Sequence, residues 1–396
     1  MTSLEPDQSG PDKPGRRNFL KLAGGGIVVA ATGAGVFAAT RTPTRALEPW
    51  KMAIGPRSQA DPRRIILSHA ILAPNPHNRQ PWLADISSDD EIVLYCDLDR
   101  LLPETDPFDR QITVGLGCFL ELADLTAKQI GLKTDITLFP EGEGVPRLDG
   151  RPVARIRLER AGVEPDPLFS QIFDRRSNKE PYDASRSVTA QTAADMVSVT
   201  RNNVQVGSVT DPDTAARLRK IAWNAMETEL RTYRTAKESI DLLRIGKAEI
   251  EANPDGIDLG GAFFEVADIL GFMNRDDFLD TTTTAFSQQM AAVKEPFGTA
   301  NGFVFIKTNG NTRRDQIAAG RNYVRINLKA TELGVAMQPW SQSLQEFPEV
   351  RPQYDEIRAE LGVQENETLQ MFARMGYGAN PAPSPRWSYE TRIRDA

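Results

Sequence analysis

Two short polar stretches hold most of the side chains that could do chemistry. The first, 73-APNPHNRQPW-82, contains a histidine and several amide side chains but no acidic residue. A histidine acts as a general base where an acid and a nucleophile converge on it. The chain has no GxSxG elbow, and no serine near His77 has triad spacing. We therefore assign His77 no catalytic role, and the stretch is either a surface loop or one wall of a ligand site.

The second stretch, 173-FDRRSNKEPYD-183, is rich in cations. In an extended segment Arg175, Ser177 and Lys179 would face the same way, because alternate side chains share one side. Two cations and a hydroxyl on one side suit a phosphate group, which arginine can bind through two parallel hydrogen bonds. A solvated charge patch is the simpler alternative. Arg386, between a proline and a tryptophan near the C-terminus, adds a further basic point.

The composition excludes several classes of protein. The chain has 396 residues, 40% of them hydrophobic, and a net charge of −7, so we expect no nucleic-acid partner. Two histidines and two cysteines are too few for a typical zinc, copper or iron–sulfur protein. No run of Asp and Asn resembles a calcium-binding loop. We predict that Cys96 and Cys118 are buried small hydrophobic residues rather than a catalytic pair, with a disulfide between them left open.

The N-terminus has the features of an export signal. Arg16 and Arg17 precede Phe-Leu-Lys, and residues 22–40 carry no charge and are rich in glycine and alanine. This pattern looks like a twin-arginine signal, which delivers folded proteins through the twin-arginine translocation machinery. The stretch 44-TRA-46 offers a cleavage site, which predicts a signal peptide over 1–46 and a periplasmic or other extracytoplasmic location. An uncleaved membrane anchor is the alternative, since residues 22–40 are just long enough to span a bilayer.

The rest of the sequence predicts a mixture of helices and strands. Predicted helices cover 62–73, 115–131, 215–246 and 317–334, and predicted strands cover 91–96, 154–160, 302–308 and 369–378. A polar, proline-bearing link at 161–167 indicates a boundary between a first half over 47–165 and a second half over 166–396. Residues 254–300 are irregular and could form a lid.

Two of the predicted helices share a pattern. Gly117 and Gly131 are 14 residues apart, and so are Gly320 and Gly334. Superposing the two helices on these glycines pairs leucine with leucine and alanine with alanine at further positions. Each helix also has strand-like sequence nearby. The pattern favours an internal duplication.

The two polar stretches together resemble a known family. The run 74-PNPHNRQPW-82 looks like the Pro-Ser-x-x-Asn-x-Gln-Pro-Trp signature of the FMN-dependent nitroreductases, and 175-RRSNK-179 resembles their Arg-x-Ser-x-Arg/Lys phosphate motif. Arg386 is similar to their C-terminal phosphate arginine, and 335-VAMQPWSQSL-344 to the segment that lies along the flavin ring. With the export signal, the chain is most similar to the Acg-type branch, in which two nitroreductase halves are fused.

The resemblance implies a fold and a set of site residues. The fold would be α+β and nitroreductase-like, with two half-repeats fused into a single-chain pseudo-dimer and sheets flanked by helices. The FMN phosphate would be held by Arg175, Ser177, Lys179 and Arg386. The flavin ring would contact Pro74, Asn75, Pro76, Asn78 and Gln80 on one side and Gln338, Pro339 and Trp340 on the other. The sequence departs from the family pattern at Asn75, where the family has serine, and at Pro76, which lacks a backbone N–H.

The order of the motifs implies one flavin per chain. In the family, each FMN site of a dimer takes its phosphate ligands from one subunit and its Pro-Ser-x-x-Asn loop from the other. In this chain the first half has the loop at 74–82 without a preceding phosphate motif, and the second half has the phosphate motif at 175–179 without a following loop. The two pieces complement each other at the junction of the halves.

The resemblance implies an FMN-dependent oxidoreductase. It would pass a hydride or electrons, with NAD(P)H as a candidate donor, to a nitroaromatic or quinone-like small molecule. The alternative is a non-catalytic exported protein that binds or sequesters flavin, because a lid over 254–300 would block substrates and the 75–76 pair is altered. A flavin-free relic is a third interpretation, which the retained motif residues oppose. Contact with a membrane is expected only if the signal stays uncleaved.

Overall fold

The computed structural model describes residues 40–53, 55, 57–201 and 204–394. Residues 1–39, which hold most of the predicted export signal, lie outside the described residues, so the signal stays a prediction. No helix within these ranges is long and apolar enough to cross a membrane. The same ranges hold no group of three or more His, Cys, Asp or Glu side chains that could bind a metal ion.

The first sheet forms between residues 82 and 160. Its strands are β1 (Trp82–Asp85), β2 (Glu91–Cys96), β3 (Leu132–Leu138) and β4 (Ala154–Arg160). They lie in the order β1-β2-β4-β3, with every neighbouring pair antiparallel. Helices α1 (Glu48–Lys51) and α2 (Pro62–Ala70) precede the sheet, and α3 (Arg110–Gln129) connects β2 to β3. Asp61 begins α2 by accepting a hydrogen bond from the Arg63 N–H.

The chain continues through α4 (Ala190–Val197) and β5 (Gln205–Val209) into a long insertion, residues 210–301. The insertion contains α5 (Pro212–Arg231), α6 (Tyr233–Asp241), β6 (Leu243–Ile245), α7 (Gly246–Ala252), β7 (Ile257–Leu259), α8 (Ala262–Ile269), α9 (Arg275–Leu279) and α10 (Thr284–Lys294). Strands β6 and β7 form a small parallel pair. In the sequence, the insertion thus separates β5 from the strand with which β5 pairs.

The second sheet is completed after the insertion. It adds β8 (Gly302–Thr308), α11 (Arg313–Glu332), β9 (Ala336–Pro339), α12 (Arg351–Glu360) and β10 (Thr368–Gly376). The strand order is β5-β8-β10-β9, again with antiparallel neighbours. Thr312 begins α11 with a capping box in which Asp315 reaches back to the Thr312 N–H.

The two sheets have the same topology. In each, two strands precede a long helix, two follow it, and the last strand lies between the second and the third. The helices α3 and α11 both have 20 residues and begin with an arginine. Gly131 and Gly334 follow their ends with left-handed φ values of 75° and 68°. The predicted α+β fold class, with half-repeats fused in one chain and sheets flanked by helices, is confirmed. The exact boundary at 165 and 166 stays a prediction.

The helices α3 and α11 pack together at Gly117 and Gly320. A Cβ atom on Gly320 would overlap the Val114 carbonyl oxygen and lie 3.0 Å from the Gly117 Cα. A Cβ atom on Gly117 would likewise overlap the Ile317 carbonyl oxygen. Each glycine is the eighth residue of its helix, so equivalent positions of the two halves touch. Contact between equivalent residues is the property of a two-fold interface.

The first residue of each long helix reaches into the opposite half. Arg110 donates a hydrogen bond to the Gln370 carbonyl oxygen at 2.9 Å. Arg313 donates to the carbonyl oxygens of Phe108 and Pro146, both at 2.7 Å. Both arginines are buried. These reciprocal contacts satisfy buried backbone carbonyl groups of one half with side chains of the other.

One continuous apolar core joins the two halves. It includes Trp82 and Phe119 of the first half, whose ring centroids are 5.2 Å apart, and Ile317 and Met337 of the second. Each fully buried side chain of this size stabilises the fold by about 1.5–3 kcal/mol relative to an exposed one. At this junction the two halves therefore share one apolar core and do not each have a separate one.

Two predicted segments differ from the structure. The predicted helix 215–246 is two helices and a strand, because Thr232 is extended, with φ −82° and ψ 107°. At this break the Thr235 hydroxyl donates a hydrogen bond to the Glu229 carbonyl oxygen at 2.7 Å. No glycine or proline marks this position, so the sequence carried no signal for it. Residues 254–300, predicted to be irregular, contain β7, three α-helices and one 3-10 helix.

The cysteines are free and buried, as predicted. Cys96 lies in β2, and Cys118 lies in α3, where its thiol donates to the Gly320 carbonyl oxygen at 3.2 Å. Burial raises the pKa of Cys118 to about 12, so the thiol stays neutral at ordinary pH. Both behave as small hydrophobic residues in the core.

Replacing Gly320 with alanine should force α3 and α11 apart, because the added Cβ meets rigid backbone. We expect a loss of about 1–3 kcal/mol or more in the free energy of unfolding, measured by denaturant titration. Gly162→Ala is the matched control, since Gly162 is exposed and nothing lies within 4 Å of its added Cβ. Equal unfolding midpoints for the two variants would contradict the tight crossing.

Candidate functional site

A cavity of about 370 Å³ lies where the two halves and the insertion meet. Its volume is in the range of small-molecule and cofactor sites. Ten of the twelve residues predicted from the sequence line it: Pro74, Asn75, Pro76, Asn78, Arg175, Ser177, Lys179, Gln338, Pro339 and Arg386. The structure therefore brings together residues that are up to about 300 positions apart in the chain.

The predicted stretch 73–82 is a strained turn packed on α3. Three of its residues have left-handed backbones, namely His77, Asn78 and Gln80, with φ of 48°, 51° and 52°. Such conformations cost about 1 kcal/mol or more each for residues other than glycine. The Asn75 side chain holds the turn by accepting a hydrogen bond from the Gln80 N–H at 2.7 Å. Gly115 lets the turn approach, since a Cβ there would lie 3.1 Å from the Asn75 Cβ.

The structure places Gln80 behind the turn and not among the residues that line the cavity, so its predicted contact with a ligand stays a prediction. Its side chain is fully buried. The amide donates to the Pro254 carbonyl oxygen at 2.7 Å and accepts from the Trp387 N–H at 2.9 Å. Gln80 thus ties the turn to the insertion and to the C-terminal segment.

Trp340 likewise does not line the cavity, and its predicted contact with a ligand stays a prediction. Its ring stacks on Phe297 with centroids 4.0 Å apart and packs near Phe303. It belongs to a second apolar cluster on the side of the sheet away from the main core. Its neighbours Gln338 and Pro339 face the cavity, so Trp340 anchors the segment that carries them.

One end of the cavity is formed by two buried arginines, Arg175 and Arg386. Arg175 donates to the Asn327 side-chain oxygen and to the Leu72 carbonyl oxygen, both at 3.1 Å. Arg386 donates to the Asn78 side-chain oxygen at 2.6 Å. These acceptors are neutral, so they orient the guanidinium groups without compensating their charge.

Neither guanidinium has a carboxylate within ion-pair distance in the part of the chain that the structure describes. Burial lowers the pKa of both Arg175 and Arg386, and repulsion between the two adds to the effect on Arg386. Asp258 opposes the shift of Arg386 from a distance. The Arg175 Nε also lacks a hydrogen-bond partner among the described residues. A buried cation without a counter-ion is costly, so this end of the cavity favours an anion.

Trp50 covers the same end of the cavity. The guanidinium carbons of Arg176 and Arg386 lie 4.9 and 5.3 Å from its ring centroid, within the range of cation–π contacts. Its indole N–H donates to the Ser384 carbonyl oxygen at 2.8 Å. Short helix α1 therefore joins the C-terminal segment over the basic end, a role for which the sequence offered no motif.

The other predicted cation, Lys179, lies at the rim. Its side chain is about half exposed, and its Nζ is 3.9 Å from the Asp258 carboxylate. Arg176 is held nearby by a hydrogen bond to the Phe173 carbonyl oxygen at 2.6 Å. Four cations thus gather at one end of the cavity, with Arg175 and Arg386 innermost.

Five buried polar atoms in the cavity wall have no hydrogen-bond partner among the described residues. They are Arg175 Nε, Gln289 Oε1, Tyr323 Oη, Gln342 Oε1 and Gln370 Oε1. Buried polar groups are nearly always paired, so their concentration in one cavity indicates a ligand with several donors and acceptors. No sequence pattern marks the tyrosine and the glutamines, because only their place in the fold distinguishes them from other polar residues.

The insertion supplies an apolar wall of the cavity. The contributing side chains come from α5, α6, α10 and the β6–β7 pair and are Met226, Leu230, Ile240, Leu243, Ile257 and Val293. Apolar walls with a few directed polar groups are typical of sites for planar cofactors and substrates.

His77 has a structural connection that the sequence analysis did not predict. It lines the cavity, and its Nε2 lies 3.0 Å from the Ser239 hydroxyl of the insertion. Burial, together with the charges of Arg79 and Lys179, lowers its pKa to about 4. The imidazole is therefore neutral at ordinary pH and joins the turn to α6.

The equivalent face of α11 is filled by charged side chains. At the second and ninth positions α3 presents Gln111 and Cys118 to the cavity, whereas α11 has Arg314 and Arg321. Both of these arginines form ion pairs, and that of Arg321 with Glu121 is 2.7 Å long. The duplicated halves therefore differ at the position where a symmetric dimer would place its second site.

No family model matches this chain, and a search of curated proteins finds no match. Solved structures do match, among them FMN-dependent nitroreductases. A nitroreductase with bound FMN from Bacteroides fragilis is 14% identical, covers 55% of this chain and 91% of its own, and has a TM-score of 0.32. The FMN-dependent nitroreductase NfnB from Mycobacterium smegmatis, in complex with NADPH, is 19% identical, with coverages of 57% and 96% and a TM-score of 0.35.

A third match is the NADPH:FMN oxidoreductase from Vibrio harveyi complexed with NAD⁺. It is 12% identical, covers 58% of this chain and 77% of its own, and has a TM-score of 0.32.

Inorganic phosphate should stabilise the ligand-free chain by binding between Arg175 and Arg386. At ten times its dissociation constant the gain is about 1.4 kcal/mol, seen as a higher unfolding midpoint than in chloride of equal ionic strength. Arg175→Met should lose this gain. Arg217→Met is the control, because Arg217 is half exposed and pairs with Glu360 at the surface. A phosphate response that survives equally in both variants would contradict an anion site here.

Proposed function

We propose that this chain is an FMN-binding oxidoreductase of nitroreductase type, with one FMN at the junction of its two halves. The observation that carries the proposal is the pair of buried arginines, Arg175 and Arg386, which lie at one end of the cavity without a carboxylate partner. A dianionic phosphate would supply the missing negative charge. The resemblance of 74–82 and 175–179 to the nitroreductase motifs supports the same cofactor.

The phosphate would be bound by side chains of the second half. Arg175 and Arg386 are held in place by Asn327 and Asn78 and would donate charge-assisted hydrogen bonds. Ser177 and Lys179 would complete the group from the rim. The free Nε of Arg175 is the donor best placed to gain a partner.

The flavin ring would lie between the turn and the β9 segment. Pro74, Asn75, Pro76 and Asn78 would form one wall, and Gln338 and Pro339 the other. Gln80 and Trp340 would act from behind these walls by holding their backbones. Because Pro76 has no N–H and the Asn75 amide is engaged in the turn, the partnerless polar groups of the cavity are the available contacts for the ring's polar edge.

FMN supplies the redox chemistry when it is bound, by accepting a hydride and passing electrons on. The residues of the chain bind its phosphate, orient its ring and keep water from it with the apolar wall of the insertion. NAD(P)H is the proposed donor, and a nitroaromatic or quinone-like molecule is the proposed acceptor. An acceptor of this kind is planar and largely apolar, which suits the same wall.

The alternative is a non-catalytic protein that binds or sequesters flavin. The insertion favours this alternative, because its side chains cover the part of the cavity where the flavin ring would lie. A ring covered in this way would be shielded from an acceptor. Export through the twin-arginine machinery to the periplasm is part of both proposals and rests on the sequence of residues 1–46. We also propose, from the sequence, a division into halves over 47–165 and 166–396. Membrane contact is proposed only through an uncleaved signal.

Arg175→Met and Arg386→Met should each weaken FMN binding about 10- to 100-fold, because each removes a charge-assisted hydrogen bond worth about 1.5–3 kcal/mol. Flavin fluorescence during titration of the ligand-free chain measures this. Arg217→Met should bind FMN like the parent chain. Normal affinity in both cavity variants would overturn the proposed phosphate site.

Anaerobic spectroscopy separates the two candidate functions. The chain loaded with FMN is mixed with NADPH, and its visible absorbance is followed before and after a nitroaromatic is added. Bleaching followed by recovery supports an oxidoreductase. A yellow protein that no donor reduces supports sequestration, and a chain that cannot be loaded with FMN contradicts both.

A further inference from the structure

Glu229 is a carboxyl group that the proposed cofactor site does not use. It belongs to α5 of the insertion, is buried, and lines the cavity. No Lys or Arg lies within ion-pair distance of it in the ranges that the structure describes. A buried acid without a cationic partner is costly to ionise, so its protonated form is favoured.

Hydrogen bonds connect Glu229 to the turn that would contact the flavin ring. The Ser239 hydroxyl lies 3.4 Å from Glu229 Oε1, and His77 Nε2 lies 3.0 Å from the same hydroxyl. On its other side Gln345 donates to Glu229 Oε2 at 2.8 Å. The carboxyl group is thereby fixed in the cavity wall within two hydrogen bonds of the ring-binding turn.

The surroundings set the pKa of Glu229 near neutrality. Burial raises it to about 7, and the nearby carboxylate of Glu238 acts in the same direction. Hydrogen bonds from Gln345, Ser239 and Gln342 act against the shift. General acids work best when their pKa lies close to the working pH.

Three further titratable side chains that line the cavity, Cys118, Tyr323 and His77, are poorer proton donors. Burial raises the pKa of Cys118 to about 12 and that of Tyr323 beyond the ordinary tyrosine range, so neither gives up a proton readily. His77, with a pKa of about 4, is already neutral and holds no extra proton to give. The arginines remain charged and serve as anion ligands.

We propose that Glu229 is the catalytic acid that protonates the acceptor, an inference that rests on the proposed oxidoreductase function. A quinone would gain a hydride from the reduced cofactor at one end and a proton from the Glu229 carboxyl on the resulting oxyanion. These additions supply the two electrons and two protons that convert a quinone into a hydroquinone. Glu229 is left as a carboxylate and regains its proton from water. The acceptor is therefore a molecule such as a quinone, in which an oxygen atom takes up a proton when the molecule gains electrons.

The test compares two acceptors in the FMN-loaded chain. Benzoquinone needs protons to be reduced, whereas ferricyanide takes one electron and no proton. Glu229→Gln should slow reoxidation by benzoquinone about 100-fold or more, the range of general acid catalysis, and leave reoxidation by ferricyanide unchanged. Glu229→Asp should recover part of the benzoquinone rate. Equal rates in parent and Gln variant, or equal slowing with both acceptors, would overturn the role of Glu229.

The parent chain provides a test that needs no variant. Its benzoquinone rate should fall as the pH rises through about 7, while its ferricyanide rate should not. A benzoquinone rate that is flat across this range would also overturn the proposal. If the proposed oxidoreductase function itself is wrong, the result differs from both of these. A chain that binds no FMN or accepts no electrons reacts with neither acceptor.

The ligand-free chain offers a readout independent of turnover. Because the folded-state pKa of Glu229 is raised above its ordinary value of 4.5, its stabilising contribution is complete below about pH 4.5 and is lost as the pH rises to about 7. Glu229→Gln should lack this loss. Its unfolding midpoint should therefore rise relative to that of the parent chain between about pH 4.5 and about pH 7. The protonated-carboxyl infrared band should titrate near pH 7 in the parent and be absent in the variant. Parallel stability profiles with no such band would contradict a protonated Glu229.

Discussion

The close crossing of α3 and α11 at Gly117 and Gly320 is the constraint on which the rest of the structure depends. Because neither position has room for a Cβ, the two long helices share one core, and each half completes the other. The reciprocal contacts of Arg110 and Arg313 tie the first residue of each long helix to backbone carbonyl groups of the opposite half. A dimer interface of this kind has become an internal junction, which no change in protein concentration can dissociate.

The junction also creates the cavity. The strained turn at 74–80 comes from the first half, while Arg175 and the β9 segment come from the second, and the insertion closes the side that they leave open. Strain in the turn and two uncompensated buried cations both cost stability, and a bound anionic ligand would offset the second cost. On the equivalent face of α11, Arg321 and Glu121 neutralise each other. Buried cations are thus uncompensated at the cavity, whereas on the related face of α11 they are paired with a carboxylate.

Much of the fold could be predicted from the sequence, because it depends on local patterns. Strands such as Ala154–Arg160 and Gly302–Thr308 and the two glycine-containing helices follow directly from apolar periodicity. The two polar stretches could also be recognised as motifs, since the residues within each stretch lie close together in the chain. The break at Thr232, the structured insertion and the burial of Trp340 depend on long-range packing that no local pattern records. Glu229, Tyr323 and Gln370 line the cavity only because distant elements meet there.

We propose that one FMN binds per chain with its phosphate between Arg175 and Arg386. The sharpest test is a crystal structure of the chain with FMN. We expect a single flavin whose phosphate oxygens lie within hydrogen-bond distance of both guanidinium groups and whose ring lies between the 74–78 turn and Gln338–Pro339. A flavin bound on the face of α11 that carries Arg314 and Arg321, or a second flavin in the same chain, would contradict it.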